Sequence, residues 1–167
     1  LHPDRAYLYI DVGGGSTELT FFARSEKLIS RSFPIGSVRL LNGQVSQAVW
    51  DDMQAWILEH CPADIQLSAI GSGGNMNKIL RLSNSKNDMP VSYTELNEID
   101  AMLNSYTIEE RIRVLHLRPD RADVIVHASK IFKSIMQWGE IEEIFVPQFG
   151  LADGLVHFMH DAYVKNS

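Results

Sequence analysis

Asp11-Val12-Gly13-Gly14-Gly15-Ser16-Thr17-Glu18 is the stretch on which the reading of this sequence turns. Tyr7 to Ile10 before it and Leu19 to Phe22 after it are short runs of β-formers, and consecutive glycines between two such runs predict a hairpin. With Gly14 and Gly15 at the central positions, Gly13 faces Ser16, Val12 faces Thr17 and Asp11 faces Glu18. Directly opposed residues in an antiparallel ladder have Cβ atoms about 5 Å apart, so two carboxylates in that position repel.

A hard divalent cation such as Mg²⁺ between Asp11 and Glu18 would remove the repulsion and recruit phosphate oxygens. Glycine backbone N–H groups approach a phosphate closely, and the Ser16 hydroxyl adds a donor, so each part suits phosphate chemistry. The residues alone leave a second reading open, in which Gly13 to Gly15 make a turn and both acids are solvated.

Outward from the hairpin, Leu28 to Ile35 reads as a third strand. A helix follows, with Ser46 as N-cap, Val49, Met53, Trp56 and Ile57 at helical spacing, and Pro62 closing it. Leu67 to Ile70 is a buried strand, and Gly71-Ser72-Gly73-Gly74-Asn75 turns it into a helix through Met76, Ile79, Leu80 and Leu82. Free N–H groups at such a helix start favour an anion, although for this loop taken alone a tight packing turn is the better explanation of the glycines. The loop has neither the P-loop lysine nor dinucleotide-fingerprint spacing. After the loop at 84–90 come a helix capped by Thr94, a long helix from about Ala122 to Gly139, a strand at Ile144 to Val146, and a last helix carrying Leu151, Leu155, Phe158 and Met159. Three antiparallel strands followed by crossovers give a mixed sheet with helices on its faces. Both glycine loops then fall at the carboxyl ends of strands, where ligands of such sheets collect.

Composition narrows the function classes. The 167 residues are 45% hydrophobic and 22% charged, as in one ordinary globular domain. A formal charge of −6 argues against broad phosphate neutralisation on nucleic acid, so a polyanion must be held locally. No apolar run approaches the ~20 residues that span a bilayer. Cys61 is the single cysteine, which excludes an internal disulfide and fits a reducing, cytoplasmic setting. His157 and His160 read as solvated helix residues without a third metal ligand.

Taken together, these residues resemble the exopolyphosphatase and guanosine pentaphosphate phosphatase (Ppx/GppA) family of the actin-like superfamily, over nearly the whole chain. Asp11 to Glu18 is similar to the family's second phosphate loop, Gly36-Ser37-Val38-Arg39-Leu40 to its G-x-V-R-L segment and Gly71 to Asn75 to its later glycine loop. Arg118-Pro119-Asp120-Arg121-Ala122-Asp123-Val124-Ile125 resembles its R-A-D-V-I helix start. The resemblance implies an α/β, ribonuclease H-like βββαβαβα mixed sheet with helices on both faces. Residues 1–167 would be one domain, the second of two actin-like domains clasping the substrate, with the first domain and its proposed glutamate base preceding Leu1.

The implied reaction is Mg²⁺-dependent attack of water on a terminal phosphoanhydride of polyphosphate or guanosine pentaphosphate. By position, Asp11 and Glu18 would bind metal or orient water, and Gly13, Gly14, Gly15 and Ser16 would hold the phosphoryl group, with Gly71, Gly73, Gly74 and Asn75 as further phosphate contacts. Arg39 is a candidate for phosphate neutralisation or a solvated side chain; Arg121 reaches substrate, caps its turn or pairs with Asp123. The sequence departs from the family pattern at Asn75, where threonine is common, and at Gly150-Leu151-Ala152-Asp153-Gly154, where G-L-R-E-G is common. Expected partners are the phosphate substrate, the preceding domain and a second copy in a homodimer, with no nucleic acid and no membrane. A phosphate- or nucleotide-binding regulatory module without chemistry is the reading of a different class, and an actin-like kinase domain a third.

Overall fold

In a computed structural model of the chain, described over residues 6–23, 26–60, 66–85 and 89–147, six strands form one mixed sheet. Strands β1 (Ala6–Val12), β2 (Thr17–Ala23) and β3 (Glu26–Phe33) make an antiparallel meander. The chain then crosses over, so that β4 (Leu67–Ser72) runs parallel to β1 and β6 (Glu143–Phe145) parallel to β4. The short β5 (Val91–Ser92) closes the far edge antiparallel to β6, giving the order β3-β2-β1-β4-β6-β5.

Strand alternation sends Leu8, Ile10, Val12, Leu19, Phe21 and Ala69 to one face of this sheet, where the described helices gather. Helix α7 (Ile125–Trp138) is the centrepiece: Ile125, Ala128, Ile131, Phe132 and Ile135 on it are all fully buried. Around it lie α1 (Ser37–Leu41), α2 (Gln47–His60), α3 (Gly74–Leu82) and α4 (Tyr93–Ser105), with the short α5 (Ile108–Arg113) and α6 (Pro119–Ala122) between α4 and α7. The ring of Trp56 fills the space over the meander, 5.5 Å from that of Phe21 and 5.6 Å from that of Phe33. On the opposite face Tyr7, Ser68 and Ile70 are also buried. No helix among the described residues is long and apolar enough to cross a membrane.

The structure corrects two expectations. Ser92, not Thr94, caps α4: its extended backbone precedes the first turn and its hydroxyl accepts from Glu95 N at 3.1 Å, whereas Thr94 is already helical. The helix expected from about Ala122 is two, because Pro119 starts a separate turn, α6, and α7 begins at Ile125. Periodicity also missed α1 and α5, both too short to show a stripe. Cys61, the last expected helix with His157 and His160, and the 150–154 segment lie outside the described residues.

Candidate functional site

The hairpin has the predicted register. Asp11 stands opposite Glu18 and Val12 opposite Thr17, and Gly13 N donates to Ser16 O at 2.9 Å to close the turn. Asp11 is partly buried and Glu18 exposed, and neither carboxylate has a hydrogen-bond or ion-pair partner among the described residues. Two like charges therefore face each other across the ladder with no described side chain paired to either, while the next row of the ladder is neutral.

Gly13, Gly14 and Gly15 all have negative φ, so they are not glycines for the sake of a left-handed turn. Of the three, only Gly14 is crowded by α1, where a Cβ would lie 3.1 Å from Val38 Cγ2; a Cβ on Gly13 would meet Ser16 O at 3.3 Å, and one on Gly15 would meet nothing closer than 4.0 Å. Gly13 O accepts from Ser37 N at 3.0 Å, and Gly14 O from Val38 N at 3.0 Å and Arg39 N at 3.1 Å. Arg39 Nε then donates to Gly15 O at 2.7 Å. All three loop carbonyls thus point at α1, and every peptide bond in the loop is trans. In a trans peptide the N–H of the next residue points opposite to the carbonyl, so the N–H groups of Gly14, Gly15 and Ser16 point away from α1. They have no partner among the described residues, which makes the loop a row of three donors open to an anion. Arg39 braces this loop from the side, and its terminal Nη groups are unpaired there.

The second loop meets the first. A Cβ placed on Gly73 would lie 3.3 Å from Val12 O and 3.5 Å from Asp11 Oδ1. Gly73, at φ +97°, is the N-cap of α3, a conformation strained for any other residue whatever ligand is present. Gly71 is a different case: a Cβ there would meet Ile144 Cδ1 and Met76 Cγ at 2.8 Å, so core packing alone accounts for the glycine. Asn75 is 95% buried, and its Oδ1 accepts from Arg121 Nη1 at 3.1 Å. The Arg121 guanidinium lies flat against Gly74, where a Cβ would come within 2.6 Å of it. Arg121 is therefore bound to the second loop, neither capping its own turn nor paired with Asp123. Sequence reasoning missed Ser72, across the ladder from Asp11, whose hydroxyl accepts from Tyr9 at 2.9 Å. Alternation of β4 from Ile70 was the available signal.

No group of three or more metal-ligating side chains occurs among the described residues. Two facing carboxylates next to phosphate donors still suit Mg²⁺, which is commonly held by one or two carboxylates with substrate phosphates and waters completing the shell.

On α7, His127 titrates below its ordinary range, chiefly because burial disfavours the imidazolium, with Lys130 and Arg111 adding repulsion against the opposing attraction of Asp123. A lowered folded-state value means that the unfolded chain takes up this proton first, so stability is full above the ordinary value near 6.5 and falls as pH drops below it. His127→Gln should flatten the acid side of a Tm-against-pH curve between about pH 6.5 and 5. Identical curves for both proteins would remove His127 from the acid response.

A family model described as the Ppx/GppA phosphatase family matches residues 1–162. A solved exopolyphosphatase from Cytophaga hutchinsonii superposes with a TM-score of 0.74 at 22% identity, over 95% of this chain and 58% of its own. The Aquifex aeolicus member of the Ppx/GppA protein family superposes with a TM-score of 0.71 at 21% identity, over 99% of this chain and 58% of its own. A type II variant of the Aquifex aeolicus Ppx/GppA phosphatase gives 0.68 at 20% identity, over 92% and 57%. The chain thus spans less than two-thirds of the length of these proteins. No curated protein sequence matches it.

Proposed function

Because the chain belongs to the Ppx/GppA phosphatase family, we propose that it is the second of two actin-like domains of an exopolyphosphatase, a hydrolase of the terminal phosphoanhydride of polyphosphate. The single observation that supports this most is the pair of unpartnered carboxylates, Asp11 and Glu18, beside three outward N–H donors. A site built this way takes a multiply charged phosphate together with a cation, and little else. The solved neighbour named an exopolyphosphatase favours polyphosphate over guanosine pentaphosphate as substrate.

In this reading Gly14, Gly15 and Ser16 hold the terminal phosphoryl oxygens through their N–H groups, and Arg121 with the start of α3 takes neighbouring negative charge. Asp11 and Glu18 hold Mg²⁺, which when bound supplies neutralisation of the phosphate charge. Water forms the new bond to the terminal phosphorus, the bridging P–O bond breaks with its oxygen staying on the shortened polyphosphate, and the terminal phosphoryl group is released as orthophosphate. The proton of the attacking water passes to a base on the preceding domain. Such phosphoryl transfer depends on positioning and electrostatics, so one half of the cleft retains little of the rate.

The test is phosphate release from polyphosphate and Mg²⁺, measured for the full-length protein and for the 167-residue chain. The full-length protein should turn over and the chain alone should be roughly a hundredfold slower or worse. Full-length protein that binds polyphosphate but releases nothing would instead make this a regulatory phosphate-binding module. Equal rates would place the base within these residues, with Glu18 the first to replace.

A further inference from the structure

We propose that Arg111 is a positioning residue for Arg121, holding the turn that presents the Arg121 guanidinium to the second glycine loop. The inference rests on the reading that Arg121 meets substrate phosphate.

Arg111 is 92% buried, yet no carboxylate lies within ion-pair distance of it among the described residues. A buried cation without a carboxylate is costly unless its donors are satisfied, so its hydrogen bonds show what it is for. There are two, both to backbone: Nε donates to Leu103 O at 2.8 Å and Nη1 to Ala122 O at 2.9 Å. Leu103 stands near the end of α4, a well-anchored helix packed along α7. Ala122 is the last residue of α6, which has four residues and hence no helical partner for its final carbonyls. Arg111 supplies that partner, and the carbonyl it holds belongs to Ala122, the residue directly after Arg121.

The clamp is itself fixed. A reciprocal capping box sets the start of α5: Thr107 Oγ1 accepts from Glu110 N at 3.2 Å, and Glu110 Oε2 from Thr107 N at 2.8 Å. Arg111 O accepts from Leu117 N at 3.2 Å, tying the loop that leads into α6 back onto α5. A continuous path therefore runs from the end of α4 through Arg111 and α6 to Arg121, whose other end rests on Asn75 and Gly74. Without Arg111, a single turn of helix would have to hold a long side chain in place against its rotamer entropy.

The experiment is a double-mutant cycle on kcat/KM for polyphosphate in the full-length protein, with Arg111→Met and Arg121→Ala. Arg111→Met should lower kcat/KM about tenfold in the wild-type background and less than about twofold once Arg121 is alanine. Arg111→Lys, which reaches one carbonyl but not both, should fall between and show the same loss of effect; it carries the cycle if the methionine variant does not fold. Asp100→Asn is the control, since Asp100 joins Ser129 and Lys133 between α4 and α7 without touching Arg121. Its effect should be the same in both backgrounds. An equal loss from Arg111→Met in both backgrounds, or no loss, overturns the proposal and leaves the Arg121 reading standing. Wild-type kcat/KM in Arg121→Ala overturns both.

Discussion

Asp11→Asn in the full-length protein should lower orthophosphate release from polyphosphate by roughly a hundredfold or more while leaving Tm unchanged or slightly raised. The asymmetry follows from what the carboxylate touches. It accepts no hydrogen bond from the described residues and forms no ion pair, so its loss removes no contact that holds the fold. It does face Glu18 across the ladder, and relieving one like-charge pair is worth up to about 1 kcal/mol of stability. Turnover is another matter: on the proposed reading the cation that would neutralise charge at the transferred phosphoryl group is held by both acids. Activity and Tm measured on the same preparation separate the two effects. Turnover near wild type would leave the pair as surface charge and remove the reading of the first loop with it.

Gly36→Ala should be the most damaging small substitution in the chain. Its φ of −140° suits any residue, so backbone freedom is not the reason for glycine here. The reason is contact: an added Cβ would lie 2.3 Å from Gly14 O and 2.6 Å from Gly15 C. These are backbone atoms of the first glycine loop, which no rotamer change can move aside. Either α1 lifts away, losing the bonds from Ser37, Val38 and Arg39 to the loop carbonyls, or the loop turns and its N–H row loses its direction. Overpacking of this kind costs about 1–3 kcal/mol, a fall in Tm of roughly 3–10 °C for a chain of this size, and phosphate release should drop with it. Gly43→Ala is the contrast. At φ +65° with open space around it, alanine there pays about 1 kcal/mol of backbone strain, and release should be unaffected. Wild-type melting and activity in Gly36→Ala would mean that α1 does not brace the loop.

The same glycine shows where reading the sequence stopped. Gly36 to Leu40 was recognisable as a motif, but nothing in its local pattern tells that five residues of helix turn their N-terminus toward the carbonyls of a loop more than twenty positions earlier. Arg39 was left between phosphate neutralisation and a solvated side chain, and its Nε is found on Gly15 O. Asn75 was expected as a ligand contact or a cap; buried against Arg121, its oxygen is already occupied. Gly71 and Gly73 look alike in sequence, yet one is squeezed by Ile144 and Met76 and the other is held at positive φ beside Asp11.

By itself the sequence determined the elements whose signals are local. A two-residue turn leaves a hairpin no freedom of register, so Asp11 had to face Glu18, and the unbroken apolar stripe of α7 had to be a buried helix. The order of strands and crossovers likewise dictated that both glycine loops gather at one edge of the sheet. Only the tertiary structure decided which way the loop amides point, which glycines are pressed by the core and which by neighbouring backbone, and what holds Arg121. Each of these depends on atoms brought together from distant parts of the chain, as in the Arg121–Asn75 contact, which spans 46 positions. Periodicity and turn chemistry describe only neighbours, and so could not show them.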